Sequence, residues 1–143
     1  MTAVSIWEPW ATAMFLGLKR NETRSWPTRH RGDLLICASK RALDSTATAI
    51  LRNVIEMAVG HKVDPQPGMA LCVVRMIRCD QIASEATYTY TLPTAEVMLG
   101  DYTAGRYAWV TANLRPLARP FPVRGQQGLF DVQDELVKGA IAP

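Results

Sequence analysis

The segment from residue 17 to residue 26 holds the densest group of side chains that could do chemistry. It reads Gly-Leu-Lys-Arg-Asn-Glu-Thr-Arg-Ser-Trp, so an ammonium, a carboxylate, a guanidinium and an indole lie close together in sequence. If the chain is extended from Glu22 to Trp26, side chains alternate between two faces, and Glu22, Arg24 and Trp26 share one of them. We therefore expect one surface lined by a carboxylate, a guanidinium and an aromatic plane.

The chemistry of these groups suits a nucleotide ligand. Arginine binds phosphate through two parallel hydrogen bonds, and an indole offers a face on which a base stacks for about 1–3 kcal/mol. The carboxylate of Glu22 can accept from the amino group of cytosine or adenine, or it can orient Lys19 and Arg24. A purely structural interpretation stays open, in which Glu22 and Arg24 form an ion pair and Trp26 anchors the core.

The basic charge of the chain is concentrated in two segments. The net charge is +3, but residues 19–41 carry seven Lys and Arg against two acids, and residues 106–124 carry four Arg and no acid. Such segregation is typical of a protein that meets a polyanion, although a solvated basic face gives the same count. A protein adaptor that meets an acidic partner remains an alternative to nucleic acid.

The size and composition of the chain indicate one globular domain. Its 143 residues, 48% of them hydrophobic, predict a single unit over 1–143 with a core at about 4–132 and a loose tail after about 135. The apolar run at 69–74 is too short to cross a membrane, and the N-terminus lacks a secretory pattern, so we expect a cytoplasmic protein with no membrane partner. Three cysteines without C-x-x-C spacing and two distant histidines predict no metal site and no cofactor.

Hydrophobic periodicity indicates five or six strands with two helices inserted between them. Pro9 begins the first helix and Gly17 ends it, while Asp44 or Ser45 begins the second and Gly60 ends it. Strands are predicted at 4–7, 34–39, 69–79, 106–113 and 129–132, with a short helical segment in 92–100. Because strands and helices do not alternate strictly, the pattern favours an α+β fold, a mixed and mostly antiparallel barrel flanked by helices.

Two finer expectations concern packing. A stripe on the second helix is predicted to face the core: Ala47, Ile50, Leu51, Val54 and Ala58. The prolines at 116, 120 and 122 are expected to keep the chain extended at a sheet edge, because proline has no amide hydrogen for a second neighbour.

The N-terminal third of the chain resembles an ASCH domain. The resemblance rests on the Pro9-Trp10 pair, the G-x-K-x-x-E-x-R motif from Gly17 to Arg24, the Arg24-Ser25-Trp26 triplet and the Arg31-Gly32 turn, which occur in that order. Residues 68–77, 107–109 and 122–130 resemble later parts of the family pattern, whereas 80–105 match least. Glu8 departs from the glutamine expected before Pro-Trp. The resemblance implies a PUA-like barrel with a cleft beside the first helix.

The resemblance further implies that the cleft takes RNA, single-stranded nucleic acid or a modified nucleoside. Lys19 and Arg24 would then bind phosphate or a base edge, with Glu22 orienting them or accepting from an exocyclic amine. The remaining predicted contacts are two indoles that shape the pocket and two cations that extend the positive track: Trp10, Trp26, Arg31 and Lys40.

Whether the protein is an enzyme stays open at this stage. Some small relatives are amidohydrolases of N4-acetylcytidine, and at least one is described as a ribonuclease. For this chain the resemblance places the family's lysine on Lys19 but its threonine on Glu22, so the hydroxyl nucleophile is missing there. The alternative function is therefore a small hydrolase that uses Lys19 and Glu22 as base and acid.

Overall fold

The computed structural model describes residues 1–41 and 45–141, and in that part of the chain six strands form one curled sheet. The strands are β1 (Thr2–Ile6), β2 (Asn21–Arg24), β3 (Gly32–Ala38), β4 (Met69–Gln81), β5 (Tyr107–Pro122) and β6 (Leu129–Asp131). Their order is β2-β5-β4-β3-β1-β6, with β1 and β3 parallel and the other pairs antiparallel. The predicted α+β class is confirmed, with the sheet curled into a half-barrel.

Five helices flank the sheet among the described residues. They are α1 (Trp10–Phe15), α2 (Thr46–Val59), α3 (Glu85–Thr89), α4 (Thr94–Met98) and α5 (Asp134–Ala140). The start of α2 at Ser45 is confirmed, because the Ser45 hydroxyl accepts the Thr48 N–H, and Gly60 ends the helix at a φ of +81°. The other predicted cap, Asp44, lies outside the described residues. None of the described helices is long and apolar enough to cross a membrane.

The core has two layers, one on each face of β3 and β4. Leu34 and Ile36 of β3 pack with Met14 of α1 on one face. Leu35 of β3 and Val73 of β4 pack on the other face, which α5 covers. Because both faces are covered, these strands are apolar at successive positions rather than at alternate ones. The fold thereby holds α1 against the sheet next to the short strand β2.

Two packing expectations are wrong. The tail expected after about residue 135 is instead α5, whose Val137 is fully buried. In α2 the core-facing residue is Ile55, with Leu51 and Val59 partly buried beside it, whereas Ile50 of the predicted stripe is 56% exposed. The helix is apolar on much of its circumference, so periodicity alone selects the wrong face.

The edge position of the prolines is confirmed. Strand β2 pairs with β5 only over residues 107–110, so the later part of β5 lies beyond the end of β2. There Pro116 pairs with Cys72, and Pro122 with Met69, on the β4 side alone. The missing amide hydrogens therefore cost no hydrogen bond to β2.

Candidate functional site

Strand β2 presents the predicted charged side chains to the space beside α1. The chain leaves α1 through Gly17 at a φ of +79° and then pairs with β5, so that Glu22 lies opposite Trp109. Asn21 and Thr23 are buried on one face of β2, while Glu22 and Arg24 are partly exposed on the other. The alternation expected from the sequence is therefore present.

Lys19, Glu22 and Arg24 converge. The Lys19 Nζ atom lies 3.4 Å from Glu22 Oε1, and Arg24 Nη2 lies 3.2 Å from Glu22 Oε2. Lys19 also donates to the Asn21 carbonyl, and Arg24 Nη2 donates to the Ser5 carbonyl at 2.9 Å. The exposed fractions of the three side chains are 1%, 12% and 23% in sequence order. The carboxylate is thus shared by two cations, of which Lys19 is the deeper.

These three side chains border a cavity of about 610 Å³, which we call the inner hollow. Its other walls come from α1, α2, α4 and the loop after α4, and they include Trp10, Leu51, Met98, Asp101 and Arg106. A hydrogen bond from the Thr103 hydroxyl lowers the pKa of Asp101, and Arg106 Nε lies 3.4 Å from its carboxylate. The inner hollow therefore combines an apolar wall with paired charges.

A second cavity, of about 940 Å³, adjoins the inner hollow, and we call it the outer hollow. Ser5, Trp7 and Arg24 line both cavities and form the wall between them. The described residues lining the outer hollow include four cations and no Asp or Glu; the cations are Arg24, Lys40, Arg41 and Arg124. This cavity is therefore positively charged.

Aromatic rings support the cations of the shared wall. The Arg41 guanidinium lies 5.4 Å from the Trp7 ring centroid, and Trp7 is 45% exposed. Trp26 packs edge to face on Trp109 with the centroids 4.7 Å apart, and the Trp109 Nε1–H donates to the Trp26 carbonyl. Trp26 both packs against the core and lines the outer hollow, so the two interpretations made from the sequence apply together.

The structure brings together six of the seven predicted site residues. Lys19, Glu22, Arg24 and Trp10 line the inner hollow, and Arg24, Trp26 and Lys40 line the outer one. Arg31 lines neither, because its guanidinium donates to the carbonyls of Thr28 and His30.

The family departure at Glu8 has a structural use outside both hollows. Its carboxylate accepts from the backbone N–H and the hydroxyl of Thr12, in the first turns of α1. It also accepts from the Gln66 N–H, so it ties α1 to the turn before β4. Because these donors satisfy the carboxylate, it adds no free negative charge to the cleft.

Sequence reasoning missed Glu96, a buried acid that holds the backbone beside Lys19. Its carboxylate accepts from the N–H groups of Arg20 and Asn21, at distances down to 2.8 Å, and from the Tyr102 hydroxyl at 3.5 Å. Glu96 lies in the part of the chain that matched the family pattern least, so no motif pointed to it. The outer-hollow arginines, by contrast, belong to the two basic segments.

The described residues contain no cluster of three or more His, Cys, Asp or Glu side chains arranged to hold a metal ion. The family model of the ASCH domain matches residues 4–121. Human and mouse activating signal cointegrator 1 are each 22% identical to this chain over 138 residues, which are 96% of this chain and 23% of each relative. This chain therefore spans under a quarter of the length of those curated relatives.

Solved structures show the same fold. A crystal structure of ASCH from Zymomonas mobilis has a TM-score of 0.62 at 15% identity, and the match covers 99% of this chain and 95% of that one. A mutant form of the Zymomonas mobilis protein has a TM-score of 0.59 at 14% identity, covering 99% of this chain and 96% of that one.

Proposed function

The chain belongs to the ASCH domain family, and from this membership and the geometry of its cleft we propose that it binds RNA or another single-stranded nucleic acid. The observation that carries the proposal is the outer hollow, where four cations face one cavity without an opposing carboxylate among the described lining residues. Arginine and lysine in such a cavity favour a phosphate chain over a neutral ligand.

The aromatic side chains favour a single strand over a duplex. Trp7 exposes nearly half of its surface between the two hollows, and Trp10 lines the inner one. Unpaired bases stack on such rings, whereas the bases of a duplex are already stacked on each other. A modified nucleoside would use the same walls of the inner hollow.

The paired charges give each predicted contact a distinct role in this proposal. Arg24 and Lys40 contact phosphate, and Glu22 accepts from an exocyclic amino group of a base. Lys19 is too deeply buried to reach a phosphate in the outer hollow and instead fixes the position of Glu22. Trp10 and Trp26 shape the walls, and Arg31, outside both hollows, has no role in the proposal.

Fluorescence anisotropy with a labelled eight-nucleotide RNA tests the proposal. We expect binding that weakens with salt, with a log–log slope of about −0.7 for each phosphate neutralised. Arg24→Ala should reduce both the affinity and the slope. A DNA octamer of the same sequence tells whether the 2′-hydroxyl contributes. Absence of binding at low salt, or an affinity that salt does not change, would refute the proposal.

Hydrolysis of a modified nucleoside or of RNA is a second candidate, favoured by the buried Lys19–Glu22 pair at the inner hollow. A lysine and a carboxylate in contact can exchange a proton with a substrate. The test is incubation with a panel of acylated cytidines and with labelled RNA, comparing the native protein with Lys19→Ala. Turnover that disappears in a folded Lys19→Ala protein supports the enzyme, whereas no turnover of any substrate supports a binding module.

A further inference from the structure

The two hollows differ in how their charges are balanced. In the inner hollow, Lys19 and Arg24 share Glu22, and Arg106 pairs with Asp101. In the outer hollow, Lys40, Arg41 and Arg124 form no ion pair with any residue in the described part of the chain. One cavity is therefore nearly compensated, while the other keeps its positive charge for a ligand.

We propose that the two hollows divide one oligonucleotide between them, the inner one taking a nucleobase and the outer one taking the phosphate next to it. This inference rests on the proposed function and specifies its ligand, which must contain at least one phosphate linking two nucleosides. A phosphate in the inner hollow would lie beside two carboxylates and displace existing pairs, whereas an uncharged base meets an apolar wall of Leu51 and Met98.

The wall shared by the hollows carries an unused polar group. Ser5 Oγ is buried and has no hydrogen-bond partner among the described residues, although buried hydroxyls nearly always have one. Ser5 lines both hollows, so a ligand that crosses the wall passes this hydroxyl.

Gly125 keeps the space next to that hydroxyl open. A Cβ atom on Gly125 would lie 2.7 Å from Ser5 Oγ, which is closer than two such atoms can approach. Alanine at position 125 would therefore narrow the passage without changing the charge of either hollow. It separates the effect of the passage from the effect of the cations.

The experiment compares ligands with and without a linking phosphate. Isothermal titration calorimetry measures binding of the four nucleosides, the four homodinucleotides and the eight-nucleotide RNA to the native protein. It then measures binding to the Arg41→Ala/Arg124→Ala double variant. The matched control is the Arg29→Ala/Lys62→Ala double variant, which loses the same charge from exposed residues that line neither hollow.

In the native protein, at least one dinucleotide should bind more tightly than its nucleoside. The Arg41→Ala/Arg124→Ala variant should lose about fivefold or more of that gain and about 0.7 of salt slope per lost contact, with nucleoside binding unchanged. The control variant should keep both, and Gly125→Ala should weaken dinucleotide binding alone.

Two results would overturn this inference. One is equal affinity for nucleosides and dinucleotides in the native protein, and the other is an unchanged dinucleotide gain in the Arg41→Ala/Arg124→Ala variant. If the RNA octamer still binds with salt dependence in either case, the proposed function stands and the division between hollows fails. If the native protein does not bind the octamer at low salt, the proposed function itself fails.

Discussion

Lys19 and Glu22 form an ion pair beneath the inner hollow, and the ammonium is almost completely withdrawn from solvent. The Nζ to Oε1 distance is 3.4 Å, and the Lys19 side chain is 1% exposed. Burial of an ammonium is tolerated only when opposite charge and hydrogen bonds compensate for lost hydration. Glu22 and the Asn21 carbonyl provide that compensation, so binding and stability depend on the same carboxylate.

Replacing Glu22 with glutamine should strongly destabilise the fold. The change keeps the shape of the side chain but removes the charge, and it leaves the Lys19 ammonium buried without a counterion. We expect a loss of about 3 kcal/mol in the free energy of unfolding, measured by urea denaturation. Asp64→Asn is the control, because Asp64 is fully exposed and pairs with Arg52 at 3.7 Å, and it should cause no measurable change. Equal effects of the two substitutions would contradict the assignment of a buried pair.

Glu96→Gln should loosen the backbone that leads into β2. The carboxylate accepts from two backbone N–H groups, and glutamine would turn an amide NH₂ towards one of these donors. We expect a loss of about 1–3 kcal/mol in the free energy of unfolding. Shifts of the Arg20 and Asn21 amide signals in a ¹H–¹⁵N spectrum provide the local measurement. A spectrum changed elsewhere but not at these two amides would show that Glu96 does not hold this backbone.

The local parts of the fold and site could be predicted because short-range patterns determine them. Alternation along β2 placed Glu22 and Arg24 on one face, and the serine and glycine at the ends of α2 gave its bounds. The proline series located the edge of β5, since each missing amide hydrogen excludes a second strand. Each of these features follows from residues that are neighbours in sequence.

Features that depend on distant parts of the chain could not be predicted in the same way. Glu96 contacts the Arg20 backbone across 76 residues, and no periodicity or motif encodes that pairing. The exposed Ile50 and the buried Ile55 of α2 are chemically alike, so only the position of the helix against its neighbours distinguishes them. The outer hollow likewise arises where residues near 40 and near 124 meet across the sheet.

The Asp33–Arg115 pair should make stability depend on acid pH. Arg115 donates two hydrogen bonds to Asp33, which lower the pKa of that carboxyl below its ordinary value of 3.8. The pair therefore stabilises the fold above pH 3.8, and this contribution disappears as the pH falls through the lower folded-state pKa. Both side chains are about a third exposed or more, so Asp33→Asn should cost less than about 1 kcal/mol at pH 7.

Urea denaturation of the native protein and Asp33→Asn at pH 7, 4 and 3 measures this dependence. The difference in free energy of unfolding should be full at pH 7 and should shrink as the pH falls below 3.8. A difference that is the same at all three pH values would contradict the electrostatic explanation.

The three cysteines should react with thiol reagents at very different rates. Cys37 and Cys72 are buried in the core, and burial raises the pKa of each thiol to about 12. Cys79, near the end of β4, is partly exposed. Because the thiolate is the reactive form, we expect one thiol to react with iodoacetamide at pH 8 in the folded protein and the other two only in urea. Mass spectrometry after digestion identifies the site, and labelling of Cys37 before Cys79 would contradict the burial.

Trp7 should contribute to affinity for single-stranded RNA without contributing to its salt dependence. The ring is 45% exposed on the wall between the hollows, where a base of the bound strand can stack on it. Trp7→Leu keeps an apolar side chain but removes the stacking face, so the Kd for the eight-nucleotide RNA should rise about fivefold or more, the effect of about 1 kcal/mol or more. The log–log salt slope should stay at the native value, because no cation is lost. Tyr90→Leu is the matched control, since Tyr90 is 87% exposed and lines neither hollow. A Trp7→Leu protein that binds RNA as tightly as the native protein would remove stacking from the proposed interface, and a reduced slope would instead indicate that Trp7 acts by holding Arg41.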